Sequence, residues 1–261
     1  MNIFKKIGTY FGLPHYVVKN NRTKNGIDGR VVAYVDKDST LAEQYRILRT
    51  NLYSISPERP LKTIVLTSAQ SGEGKTITAC NLAYTISLDT EKKILLIDSD
   101  LRRAAVHKML GLSRKPGFSD VLSGVVDLEH FLAKPAFENL YVMPSGTIVD
   151  NPSELLSSTK IKTLIETLKA KFDCVLFDTP PVINVTDASI LGSICDAVFL
   201  VVKASGTPKE MIEEAFNMLK RAQAEPKACI LTSATIPLHQ YYLTNYRYYY
   251  RYKYEYRRSH S

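Results

Sequence analysis

The chain has 261 residues, 45% hydrophobic and 23% charged, which is ordinary for a globular protein and enough to bury the core of one large domain or two small ones. Its net charge of +8 is uneven: residues 1–30 carry six Lys or Arg against one Asp, residues 241–261 carry five against one Glu, and the stretch between sums to −1. The longest apolar runs, such as AVFLVV at 197–202, are too short to cross a bilayer, which excludes a membrane span. Cys80, Cys174, Cys195 and Cys229 sit in apolar runs with no C-x-x-C pair and no secretion signal, so they read as free thiols in a reducing, cytoplasmic setting. Two basic ends on a neutral body suit an anionic counterpart such as a membrane surface, nucleic acid or phosphate; solvated termini are the plainer alternative.

In chain order, MNIFKKIGTYFGL (1–13) places Ile3, Phe4, Ile7, Tyr10 and Phe11 at helical spacing. That pattern suits a helix lying in a membrane interface, weakened by Gly8 and Gly12. A polar stretch rich in Asn and Gly, KNNRTKNGIDGR, reads as linker, so residues 1–38 form a basic N-terminal segment. Ser39 caps a predicted helix, TLAEQYRILRTNLYSI, with Leu41, Tyr45, Leu48 and Leu52 on one face. From there strands and helices alternate. Strands are expected at 63–68, 93–98, 140–144, 173–178, 197–202 and 228–233, and helices at 75–88, 103–110, 158–171, 187–193 and 208–222. Short, continuous apolar strands separated by helices imply a parallel sheet covered on both faces, with right-handed crossovers. The fold class is therefore α/β, a parallel sheet flanked by helices on both faces, and the GEGKT turn (72–76) between its first strand and the next helix makes it P-loop NTPase-like. Beyond residue 238 no periodicity would bury anything, and 239–261 is expected to be a flexible tail.

The first predicted strand runs into SAQSGEGKT (68–76) and then into a helix, which is the context a phosphate-binding loop needs. Gly72 and Gly74 let the backbone curl so that N–H groups from Ser71 to Ile77, Glu73 included, point at phosphate oxygens beside a helix N-terminus. Lys75 is placed to bridge the β- and γ-phosphates and the Thr76 hydroxyl to bind Mg²⁺. Ala69 stands where the usual pattern has its first glycine. The next strand ends LLIDSDLRR, putting Asp98 and Asp100 at the carboxyl edge where parallel sheets keep ligands, and a later one ends VLFDTPP with Asp178 at the same edge. Any one of these aspartates alone would more often cap a helix. Three converging on a phosphate loop can hold Mg²⁺ directly or through water, and can orient or deprotonate an attacking hydroxyl.

The chain resembles the bacterial tyrosine kinases of capsular and exopolysaccharide systems, in the form where the kinase is a separate cytoplasmic chain. The matching stretches are EQYRILRTNL (43–52), SAQSGEGKT, LLIDSDLRR, GFSDVLSG (117–124), PSGTIVDNPSELLSS (144–158), FDCVLFDTPP (172–181) and a tyrosine-rich tail; the first 30 residues lie outside the match. The resemblance implies a kinase domain over 39–238 that binds ATP·Mg²⁺ through Lys75 and Thr76. It makes Asp98 the base for the tyrosine hydroxyl, Asp100 an aid in placing Mg²⁺, and Asp178 a further metal ligand. Glu43, Arg46 and Arg49 match the family's E-x-x-R-x-x-R motif, which contacts a neighbouring subunit in a ring where one tail enters the next active site. From spacing alone the same three residues, at i, i+3 and i+6, would read as a solvated charged face. Thr232, in ACILTSATIP, stands where relatives often carry an asparagine that helps hold adenine. The implied partners are a membrane-embedded activator that keeps the kinase at the inner face of the membrane, and a cognate tyrosine phosphatase.

The tail then acquires a use. Nine of the 16 tyrosines, Tyr241, Tyr242, Tyr246, Tyr248, Tyr249, Tyr250, Tyr252, Tyr254 and Tyr256, crowd its last stretch. A tyrosine kinase with such a tail carries its own phosphoacceptors, and regulates polysaccharide synthesis and export by phosphorylating them between subunits. Two rivals remain. A partitioning-type ATPase shares the loop but carries a second lysine where this chain has Gln70. A nucleic-acid binder would stack bases on the tail's tyrosines and pair phosphates with its arginines; the neutral body offers it no platform, and no nucleic-acid partner is expected.

Overall fold

The computed structural model describes residues 10–14, 23–89, 91–133 and 135–234. The nine tyrosines expected to be acceptors, the tail as a whole and residues 1–9 lie outside them. The sheet is seven-stranded and every pair in it is parallel, in the order β1-β7-β6-β2-β5-β3-β4. Its strands are β1 (Tyr10–Pro14), β2 (Thr63–Ser68), β3 (Ile94–Asp98), β4 (Leu140–Met143), β5 (Cys174–Asp178), β6 (Ala197–Lys203) and β7 (Pro226–Ala234). The connecting helices are α1 (Val32–Val35), α2 (Thr40–Ile55), α3 (Lys75–Ser87), α4 (Val106–Met109), α5 (Phe118–Ser123), α6 (Glu129–Leu132), α7 (Pro152–Leu156), α8 (Thr159–Lys171), α9 (Asp187–Gly192) and α10 (Lys209–Arg221). Among the described residues no helix is long and apolar enough to cross a membrane.

Six strands fall where continuous apolar runs place them, because a strand covered on both faces has no polar side to reveal. The period of two reappears in the packing. Ile64, Leu66, Leu96, Leu176, Phe199 and Val201 belong to one buried cluster, under α2 and α3, while Val65, Leu95, Ile97, Val175, Phe177, Val198 and Leu200 belong to the other, under α8 and α10. Ser39 caps α2 as expected, accepting the Ala42 N–H at 3.2 Å. Tyr45, Leu48 and Leu52 bury the predicted face of that helix; Leu41, at its first turn, is half-buried.

The N-terminal segment departs from its sequence reading. Residues 10–14, given helical spacing, form edge strand β1 on β7, because main-chain pairing there satisfies N–H and C=O groups along the side of β7 that would otherwise be open. Ile27, inside the stretch read as polar linker, and Val31, Val32 and Ala33 directly after it enter the core. The anchor of this segment is Asn81 of α3, fully buried. Asn81 Oδ1 accepts the Ala33 N–H at 2.9 Å, and Nδ2 donates to the carbonyls of Arg30 and Ile77, each at 2.9 Å. Asn81→Leu leaves Ala33 N–H and Arg30 C=O unpaired, and is expected to cost about 2–4 kcal/mol, a fall of roughly 5–10 °C in Tm. A thermal shift under 1 °C would show that residues 23–35 are not docked in this way.

Candidate active site

The phosphate loop lies between β2 and α3, at the centre of the sheet's carboxyl edge. Gly72 and Gly74 have φ of +85° and +87°, the left-handed region that glycine enters at little cost, so the chain turns sharply out of the strand and into the helix. A Cβ on Gly72 would meet nothing within 4 Å, which leaves its side of the loop open for a ligand. Ala69 has an ordinary negative φ and is fully buried, so a methyl serves where the usual pattern has glycine. Ser71 and Gly72 are exposed, Gly74, Thr76 and Ile77 are half-buried, and Glu73 and Lys75 are buried.

The strand order β2-β5-β3 sets the carboxylates beside this loop. Asp178 ends β5, next to β2, and accepts the Thr76 hydroxyl through Oδ2 at 2.6 Å; Lys75 Nζ lies 4.0 Å from its Oδ1. Asp98 ends β3 directly in register with Asp178. Its Oδ2 accepts the N–H groups of Ala105 and Val106, both at 3.0 Å, so the carboxylate also starts α4. Asp100 follows two residues later, its Oδ1 accepting the Arg103 N–H at 2.8 Å. Asp98 and Asp178 are fully buried. Burial pushes the Asp98 carboxyl up to about 8, helped by the charge of Asp178 and against the two backbone N–H bonds. Burial also raises the Asp178 carboxyl, with Lys75 and the Thr76 hydroxyl working in the opposite direction.

The donor set suits a hydrated magnesium ion and a triphosphate. Asp98 Oδ1 and Asp178 Oδ1 are buried without a hydrogen-bond partner, and buried carboxylate oxygens of that kind are held for a cation or a donor that arrives with the ligand. Among the described residues no group of three or more His, Cys, Asp or Glu side chains forms a cation cage. Mg²⁺ needs none, since it keeps several waters and takes other ligands from phosphate oxygens.

The structure also brings in residues that sequence reasoning passed over. Arg102, two residues after Asp100, donates from Nε to buried Asp187 at 3.1 Å and from Nη2 to Ser153 Oγ at 2.9 Å; the Ser153 hydroxyl donates to Asp187 at 2.6 Å. This cluster ties the loop after β3 to α7 and α9. Its members lie 51 and 85 residues from Arg102, and no local pattern announces them. Glu43, Arg46 and Arg49 sit on α2, away from the loop. Arg46 Nε donates to Glu43 at 2.6 Å and its Nη1 to the Lys37 carbonyl at 3.0 Å, while Arg49 donates to the carbonyl of Thr85 at 2.9 Å, in the last turn of α3.

With this geometry in hand, the comparisons with known proteins agree with one another. A family model described as an AAA domain matches residues 61–230. Tyrosine-protein kinase YwqD of Bacillus subtilis is 38% identical over 212 residues, 81% of this chain and 89% of that one. Tyrosine-protein kinase CpsD of Streptococcus pneumoniae is 37% identical over 203 residues, 76% of this chain and 87% of its own. The solved kinase domain of Escherichia coli tyrosine kinase ETK superposes with a TM-score of 0.77 at 26% identity, covering 90% of this chain and 95% of that domain. A phosphate loop facing two strand-end carboxylates, within a chain matched along most of its length by such relatives, places this protein in a single family: it belongs to the bacterial tyrosine kinases.

Proposed function

We propose that the protein transfers the γ-phosphoryl group of ATP to the tyrosines between Tyr241 and Tyr256 on a neighbouring subunit's tail, and that this regulates synthesis and export of a surface polysaccharide. The observation that carries the reading is the pairing of Thr76 and Lys75 with Asp178 while Asp98, in register beside it, keeps one buried oxygen without a partner. Mg²⁺ and ATP supply the phosphoryl group and the charge that screens it. Backbone N–H groups of the 71–77 loop cradle the phosphates, and Lys75 offsets negative charge at the transferred group. The Thr76 hydroxyl and the carboxylates of Asp178 and Asp100 orient the cation. Asp98 Oδ1, in the ionised form of the carboxylate, takes the proton of the incoming tyrosine hydroxyl.

The tail, residues 239–261, follows β7 in the sequence, so acceptor and catalyst belong to one chain. Glu43, Arg46 and Arg49 present charge on α2 for a subunit contact that orders copies into a ring, each tail serving the next site. The unmodified tail carries +4 and each phosphate adds about 1.5 to 2 negative charges, so about three phosphates neutralise it and more drive it out. A membrane-embedded activator brings the kinase to the inner face of the membrane, and a tyrosine phosphatase resets the tail.

Mixing experiments test the transfer. A catalytically dead chain with an intact tail is incubated with Mg·ATP and an active chain that lacks residues 239–261, and intact masses are read. A ladder of phosphates on the dead chain, mapping to residues 241–256, is the expected result. Phosphate confined to unmixed active full-length chains would mean transfer within one chain. Retention of single-stranded RNA on a filter, with no ladder under any condition, would favour the nucleic-acid reading of the tail.

A further inference from the structure

The phosphate loop is braced from behind by residues that no motif assigns. Glu73 is 2% exposed. Its Oε2 accepts the Gln70 N–H at 3.1 Å, and its Oε1 accepts the hydroxyl of Thr207, on the turn between β6 and α10. Its main-chain carbonyl accepts the Thr232 hydroxyl at 2.7 Å. The Thr232 methyl would lie 3.5 Å from a Cβ built on Gly74, an ordinary packing distance. Thr232 itself is fixed by the sheet: it stands opposite Lys203 of β6, and its carbonyl accepts the Ala204 N–H at 2.9 Å.

These contacts bear on a peptide group of the loop that a glycine leaves free to turn over. Gly74 has no side chain and a positive φ, so nothing of its own resists rotation of the preceding peptide. A trans peptide is planar, with its C=O and N–H pointing in opposite directions. While Thr232 holds the Glu73 carbonyl on the β7 side, the Gly74 N–H must face the other way, toward the concave side of the loop where donors to a phosphate oxygen belong. If the peptide turned over, a carbonyl would face the phosphates and one donor would be lost.

We propose that Thr232 is a positioning residue for the triphosphate: its hydroxyl holds the Glu73–Gly74 peptide in the orientation that offers the Gly74 N–H to phosphate, with Thr207 bracing the same residue through the Glu73 carboxylate. Thr232 acts here through the loop, by a contact that does not depend on the base. This rests on reading the loop as the ATP site. It also has a structural corollary. Thr232 lies on the strand that leads into the tyrosine tail, so the phosphate grip and the root of the tail share one hydrogen bond.

Calorimetric titration with Mg·ATP and Mg·ADP decides the matter. Thr232→Val keeps the shape and removes the donor; Thr232→Ser keeps the donor and removes the methyl. The expected result is about tenfold weaker binding of both nucleotides by the Val variant, the effect of one lost hydrogen bond, with the Ser variant within about twofold of wild type. Tail phosphorylation at saturating ATP should stay within about twofold in both, so that the loss appears in KM and not in kcat. Wild-type affinity in Thr232→Val overturns the proposal, and so does a Ser variant as weak as Val, which would assign the effect to packing. If Thr232→Val does not fold, Thr207→Val takes its place: weaker binding by threefold or more supports the brace, and unchanged binding overturns it. Failure of the wild-type protein to bind ATP is a different result, counting against the ATP site itself.

Discussion

Asp98→Asn should produce a protein that is harder to unfold and at least a hundredfold slower in transfer. The amide fits without strain. Its oxygen can take the place of Oδ2 and accept the Ala105 and Val106 N–H groups, while its uncharged NH₂ stands where Oδ1 now has no partner, beside Asp178 in register on the next strand. The stability gain depends on pH with a definite sign. The folded carboxyl keeps its proton up to about pH 8, whereas an ordinary aspartate loses it near 3.8. Between those values the folded state binds more protons than the unfolded state, so wild-type stability falls as pH rises through this window and levels off above it. The asparagine variant lacks that slope. Its advantage should be small at pH 4 and reach about 2–4 kcal/mol at pH 8, roughly 5–10 °C in Tm. Loss of the base should lower transfer by about 10²–10⁴. Thermal scans from pH 4 to 8 beside a phosphorylation time course check both. A variant equally stable at both pH values would mean that Asp98 is not a strained buried acid, and one that transfers at the wild-type rate would remove it as the base.

Lys75→Met is the other large effect. Lys75 is buried, and its ammonium is the charge that most opposes the rise burial imposes on the Asp178 carboxyl. Methionine keeps the apolar stem and takes the ammonium charge away from both Asp178 and the bound phosphates. Binding of Mg·ATP is expected to weaken by about a hundredfold and transfer to fall by about a thousandfold, since the interaction is stronger in the transition state than in the ground state. The intact-mass ladder should vanish, while far-ultraviolet circular dichroism matches wild type. A ladder that persists would mean that Lys75 does not carry the transfer. An unfolded variant would instead show that the Lys75–Asp178 contact is needed structurally. Used as the dead chain in the mixing experiment, the same variant also tests whether one subunit phosphorylates another.

Much of the site was legible in the sequence because its parts are local. Gly72, Gly74, Lys75 and Thr76 are contiguous, and each of Asp98 and Asp178 closes an apolar strand, so spacing alone placed them at one edge of a parallel sheet. What spacing could not supply was strand order. Asp178 touches Thr76 because β5 is the neighbour of β2, and Asp98 stands one strand further out. The Arg102–Asp187–Ser153 cluster was hidden for the same reason, since its three members come from three separate loops and helices.

The N-terminal segment shows the opposite failure. Its local pattern was plain and its fate was decided elsewhere: helical spacing at Tyr10 and Phe11 yields to main-chain pairing with β7, and a stretch that looks like linker is drawn in by Asn81, about 50 residues away. Sequence by itself determined the fold class, the phosphate loop and the carboxylates, because apolar runs, glycines and strand-end acids act over a few residues; the kinase family came from a resemblance carried by whole motifs. Only the tertiary structure decided which acid meets Thr76, what braces Glu73 and where the chain's first strand pairs. Those outcomes depend on hydrogen bonds and burial between segments up to 159 residues apart, which no local pattern encodes.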